Sequence, residues 1–167
     1  RSLSKLCPVF NTHRMLEDYA EHAYLPAAVR NNALAAEGYR GARALGAWGR
    51  RVMERWSQVQ VLEVKSESPE TLVWGEEAKL TAKVRLGGLS PDDVACDIYV
   101  GRLDPLGHFA DRDTEPMRAE GTPQDGVYRF VGAVKSRQTG RLGLKVRVVP
   151  FHPLLSSKHD LGLAVWG

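Results

Sequence analysis

Hydrophobic positions along this chain change their spacing near residue 60: the period is helical before it and alternating after it. Asn11-Thr12 offers a polar cap. Met15, Leu16, Tyr19, Ala20, Ala23 and Tyr24 then fall on one side of a helix. Glu17 and Asp18 sit in its early turns, near the positive end of the helix dipole. Pro26 either stops this helix or begins the next. Leu34, Gly38, Gly41, Leu45, Trp48, Val52 and Trp56 recur every three or four residues, which predicts helix over 26–58. As one piece it would reach on the order of 45 Å. Gly38, Gly41, Gly46 and Gly49 each cost roughly 1 kcal/mol of helix propensity relative to Ala. Two readings stay open: a long helix held by tertiary contacts, or a break near Gly38–Gly41 into two shorter ones.

From Val59 the period is two, with candidate strands at 59–64, 72–74, 78–86, 94–100, 127–134, 142–149 and 162–166. Leu80, Ala82, Val84 and Leu86 share one face, and Leu142, Leu144, Val146 and Val148 share another. Gly87-Gly88, Ser90-Pro91-Asp92, Asp104-Pro105-Leu106-Gly107, Asp125-Gly126 and Thr139-Gly140 supply turns. The polar stretch 102–124, with three prolines and two glycines, reads as a loop or irregular hairpin. The pattern predicts an α+β chain: an N-terminal helical segment of two or three helices (residues 1–58), then an all-β immunoglobulin-like antiparallel sandwich (residues 59–167). Asp125-Gly126-Val127-Tyr128 resembles the tyrosine corner of such sandwiches, in which Tyr128 would hydrogen-bond back to the backbone; the Cys and Trp of antibody domains are absent.

Composition changes this picture little. The chain has 167 residues, 43% of them hydrophobic and 26% charged, as expected for a soluble globular protein. No apolar run is long enough to span a membrane, and no secretory signal is visible. The start at Arg-Ser-Leu rather than Met reads as an excised or processed segment. The net charge of +3 divides into +4 over residues 1–60 and −1 over the remainder, so neither part makes a field for nucleic acid. Cys7 and Cys96 read as reduced thiols in a cytoplasmic protein rather than a disulfide, and two cysteines alone cannot close a zinc site.

Candidate chemistry is sparse. No serine lies in a G-x-S-x-G elbow, and no Walker A or G-x-G-x-x-G pattern is present. His13 and His22 are nine residues apart, the wrong spacing for shared metal ligation. Asp104, Asp111 and Asp113 match no EF-hand and read as solvated loop carboxylates. Gly140-Arg141-Leu142-Gly143 lies where a turn enters a strand, which speaks against an anion site. Trp48 and Trp56 are eight apart on one helical face, which favours packing. Trp74 and Trp166 are the candidate positions for an aromatic ring that stacks on a sugar, the alternative being packing of the core. No catalytic, cofactor-binding or metal-binding residue is expected.

The segment Phe10-Asn11-Thr12-His13-Arg14-Met15-Leu16-Glu17-Asp18-Tyr19-Ala20-Glu21-His22-Ala23-Tyr24-Leu25-Pro26-Ala27 resembles the F-x-T-x-R-M-x-x-E-Y-x-E-x-x-Y-x-P-A segment of bacterial and archaeal α-glucan (glycogen) phosphorylases, with Asp18 for the commoner Glu. The pieces 89–94, 99–104, 140–153 and 161–166 resemble the C-terminal extension of the same family, in the same order. The resemblance implies a parent glycosyltransferase that moves glucosyl units from an α-1,4-glucan to phosphate, using pyridoxal phosphate on a lysine. The lobes carrying that chemistry are not in this sequence, and no G-T-S-x-x-K-like loop is present. No cofactor is expected in this fragment, and alone it should not be a phosphorylase. The expected partners are the remaining phosphorylase lobes, with α-glucan and self-association as further possibilities, and neither nucleic acid nor membrane. The expected role is structural, the alternative being a carbohydrate-binding module; a third reading is a free-standing adaptor using loop 102–124.

Overall fold

The computed structural model describes residues 11–67, 75, 77–104, 106–109, 111–135 and 142–167. The chain forms one compact unit up to Ala47 and a second from Trp48 to Gly167.

In the first unit, helix α1 (Thr12–Tyr19) starts where the sequence places it. The Asn11 side chain accepts a hydrogen bond from the Arg14 N–H at 2.8 Å, satisfying one of the donors a helix start leaves open. One turn of π-helix follows over Ala20–Tyr24. The wider turn brings residues five apart onto one face, so the Tyr19 and Tyr24 rings stack at 6.2 Å, where an α-helix would separate them. Helix α2 (Leu25–Arg55) then begins with Pro26 in its first turn, where a missing N–H costs least. Its backbone leaves helical geometry at Ala36, Glu37, Gly38 and Tyr39. Of the two readings left open by the sequence, the structure shows the break, a few residues before Gly41. Glu37 and Tyr39 hold φ of 51° and 65°, a region that disfavours side chains other than glycine's.

The second unit opens with the last turns of α2. Trp48, Val52 and Trp56 lie four apart and are buried. A 3-10 turn, Trp56–Gln58, then hands the chain to β1. Among the described residues seven strands follow: β1 Gln60–Ser66, β2 Glu77–Arg85, β3 Val94–Arg102, β4 Asp113–Gln124, β5 Val127–Lys135, β6 Leu142–Pro150 and β7 Val165–Trp166. All pairings are antiparallel, in the order β1-β2-β5-β4-β3-β6-β7. Strands β3, β4 and β5 form a meander, with β2 returning beside β5 and β6 beside β3: two overlapping Greek keys. The ends of this order nearly meet. A methyl group on Gly167, after β7, would collide with Val61 of β1. The core is the inward set Ala78, Leu80, Ala82, Val84, Ile98, Val146 and Val148, joined by Val52 from the helix.

Two expectations need correction or comment. Of the two readings of 102–124 the structure shows the irregular hairpin: its second half is β4, twelve residues long, which pairs back on β3. Residues 113–117 of β4 pair with β3, and residues 118–120 and 124 with β5. Each half thus has a strand on one side only, which is where proline is tolerated, and Pro116 and Pro123 both lie in β4. Only Met117 of this strand is buried, so almost no apolar alternation marks it. The candidate strand at 72–74, including Trp74, lies outside the described residues. Asp125 and Gly126, with φ of 50° and 73°, make the two-residue β4–β5 turn that their sequence announces. Tyr128 lies half-buried in β5, opposite Val84.

Candidate functional site

The acidic residues singled out in the sequence are each committed to their own surroundings. Asp104 accepts from the N–H groups of His108 at 2.8 Å and Leu106 at 2.9 Å, and these bonds hold its carboxyl below the ordinary value. Asp111 is paired with Arg102, and Asp113 accepts from the Thr114 N–H at 2.8 Å. Among the described residues, no group of His, Cys, Asp and Glu is placed to hold a metal ion. His13 and His22 lie on the exposed first helical stretch, near Glu17 and the Asp18 carbonyl respectively. Gly140 and Arg141 lie outside the described residues. Cys96 is a buried free thiol whose pKa burial, aided by the Asp97 charge, pushes up to about 12. Cys7 lies outside the described residues.

The structure assembles two charged clusters that alternation alone does not reveal. In the first, the Asp93 carboxylate accepts hydrogen bonds from Trp48 Nε1 at 3.0 Å, Arg51 Nη2 at 2.6 Å, and the Ser90 N–H and hydroxyl at 2.9 and 3.1 Å. Burial alone would raise its pKa, but the Ser90 and Arg51 bonds outweigh it, and the net shift is downward. The Trp48 ring also packs 5.0 Å from His152. This assigns Trp48 to packing, and Trp56 is buried as well.

The second cluster lies on the outer face of β3, β6 and β7. Asp97, Arg147 and Trp166 are directly opposed across the three strands. Arg147 Nη2 donates to Asp97 at 3.0 Å, and Lys158 Nζ donates to the same oxygen at 2.6 Å. The Arg147 guanidinium carbon lies 5.6 Å from the Tyr99 ring centre and 5.7 Å from that of Trp166. Tyr99 makes edge-to-face contacts with Phe109 at 5.1 Å and with Trp166 at 5.2 Å, so the three rings form a row. Phe109 reaches that row across Gly101 and Gly143, which are opposed in register; a side chain at either glycine would run into it. The Arg147 Nε is buried with no hydrogen-bond partner among the described residues. Trp166 alone of these rings is strongly exposed, at 48%.

A signal for the second cluster was available. A glycine inside one predicted strand, Gly143, and another just past the end of a second, Gly101, mark close approach of something else. Asp97 and Arg147 carried no such signal, since they occupy outward positions of their strands, which normally face water.

A lysine that holds pyridoxal phosphate must offer its amine to an aldehyde. Lys65 and Lys83 are both bound to the Glu63 carboxylate at 2.9 Å, and Lys158 is bound to Asp97. All three amines are thus held by carboxylates.

A helical arm followed by a seven-stranded antiparallel unit whose buried charges are paired defines a chain of the helix-plus-β-domain class. Residues 56–167 match the family described as glycogen phosphorylase C-terminal domain, and the chain belongs to that family. It is similar to glycogen phosphorylase of Mycobacterium tuberculosis, with 36% identity over 97% of this chain and 19% of that protein. It is also similar to maltodextrin phosphorylase of Thermococcus litoralis, with 27% identity over 99% of this chain and 19% of that protein. The chain therefore spans about a fifth of the length of the curated relatives it matches. No solved structure gives a significant match. Among the described residues, no helix is long and apolar enough to cross a membrane.

Proposed function

We propose that this chain serves as a non-catalytic C-terminal part of an α-glucan phosphorylase, and that its role there is structural. The parent reaction would be phosphorolysis of α-1,4-glucan to glucose 1-phosphate, in the cytoplasm, with pyridoxal phosphate held by the rest of the enzyme. The observation that carries this reading is the helical arm. Met15, Leu16, Tyr19, Tyr24, Leu25 and Val29 are all exposed on it, although their spacing is that of a packing face. A helix with such a face is stabilised by docking, and the other four-fifths of a phosphorylase would supply the surface. In this reading the strap runs to about residue 58, where the 3-10 turn ends, and the remainder is an immunoglobulin-like cap or subunit link. The two Greek keys support that likeness.

The test is a comparison of the full-length phosphorylase with a version in which Met15, Leu16 and Tyr19 are changed to Glu. Docking predicts a lower thermal midpoint and loss of assembled enzyme on size exclusion. An unchanged midpoint and assembly state would refute it. The carbohydrate-binding alternative finds support at one place, the half-exposed Trp166.

A further inference from the structure

We propose that the Trp166–Tyr99 edge of the outer sheet face is a contact site for a neutral α-glucan chain. The proposal rests on the reading of this chain as part of an α-glucan phosphorylase. Trp166 is exposed at 48%, yet it is not a loosely held surface ring. Tyr99 meets it edge-to-face, and the buried Arg147 guanidinium packs against both rings from one side, 5.6 Å from the Tyr99 centre and 5.7 Å from that of Trp166. Arg147 is in turn fixed by Asp97, which Lys158 also binds. An indole held from behind in this way has little rotamer freedom left to lose when something covers its open side.

The chemistry around that open side selects the ligand. A pyranose presents C–H groups on one face and hydroxyls around its rim, so it suits a flat ring flanked by hydrogen-bonding groups. Lys158 remains about one-third exposed beside the cluster, and Lys145, opposite Tyr99 on the same outer face, is exposed. Both donate hydrogen bonds, as does the Tyr99 phenol. Trp48 and Trp56 cannot take part, being buried at 6% and 7% exposure, so among the described residues Trp166 is the tryptophan available for contact.

Retention of the 167-residue chain on a native gel containing glycogen tests the site, with maltoheptaose as soluble competitor. The wild-type chain and Trp166→Phe should be retarded and released by maltoheptaose. Trp166→Ala should lose at least tenfold in apparent affinity, while Leu106→Ala, at another exposed apolar position, should behave as wild type. Thermal melts of each variant show whether Trp166→Ala is still folded. If that variant melts early, Trp166→Phe decides: it keeps an aromatic face and must still bind. Absence of retardation for the wild-type chain, or equal retardation of Trp166→Ala, overturns the proposal and leaves this ring as a packing contact. The docking of the helical arm is tested separately, by substitutions at Met15, Leu16 and Tyr19, so either reading can fail while the other stands.

Discussion

Asp93 joins two parts of the chain through one carboxylate: the helix, through Trp48 and Arg51, and the Ser90 turn that leads into β3. Replacing it with Ala would strand a buried indole N–H and remove the partner of Arg51. Losses of this kind cost about 3 kcal/mol, because the groups left behind are desolvated and unpaired. Asp93→Ala should therefore lower the urea midpoint of the chain markedly, and Asp93→Asn less, since the amide can still accept from Ser90. The pH dependence has a definite sign. The folded-state pKa of Asp93 lies below its ordinary value of 3.8. Its carboxylate thus stabilises the fold fully above that ordinary value, and the contribution disappears as pH falls through the folded value. Wild-type urea midpoints should fall more steeply below about pH 4 than those of Asp93→Asn. Parallel curves would show that this charge does not contribute.

Strands differ in how plainly their residues announce them. The alternation of β2 is legible because water lies on one side and the core on the other: Ala78, Leu80, Ala82 and Val84 are buried while Lys79, Lys83 and Arg85 are exposed. Strand β4 is illegible because it changes partners midway, buries one side chain, and contains two prolines and Gly121. The second charged cluster was hidden for a related reason. Lys158, 61 residues from Asp97 in sequence, covers an outward position that alternation assigns to solvent. The family resemblance was legible across the whole chain, whereas the row of rings on β3, β6 and β7 depends on strand register, which the sequence pattern alone leaves open. Gly101 tests that register. A methyl group there would overlap the Asp111 carbonyl and press on Phe109, and backbone yields less readily than the end of a side chain. Gly101→Ala should cost about 2–3 kcal/mol and lower the thermal midpoint, whereas Gly107→Ala, with open space around it but φ of 85°, should cost less.

At the scale of the whole molecule, the question is what covers the apolar side of the helical arm. Met15, Leu16, Tyr19, Tyr24, Leu25 and Val29 together expose a contiguous run of large side chains, and neither α1 nor the π turn buries a single residue. At about 25 cal/mol per Å², a few hundred Å² of such surface amounts to several kcal/mol available to any partner. In a phosphorylase five times this length, the remaining lobes are the natural partner. In a solution of this chain alone, a second copy is the nearest apolar surface, so the chain should self-associate through residues 15–29. Sedimentation velocity should show a weight-average coefficient that rises with concentration, and Leu16→Glu combined with Tyr19→Glu should abolish the rise. The β unit offers an internal control, because Trp48 and Trp56 lie in its interior and their fluorescence should be the same in both forms. A chain that stays monomeric at high concentration would mean that the arm does not offer a usable packing face, and the case for its docking in the parent enzyme would weaken with it.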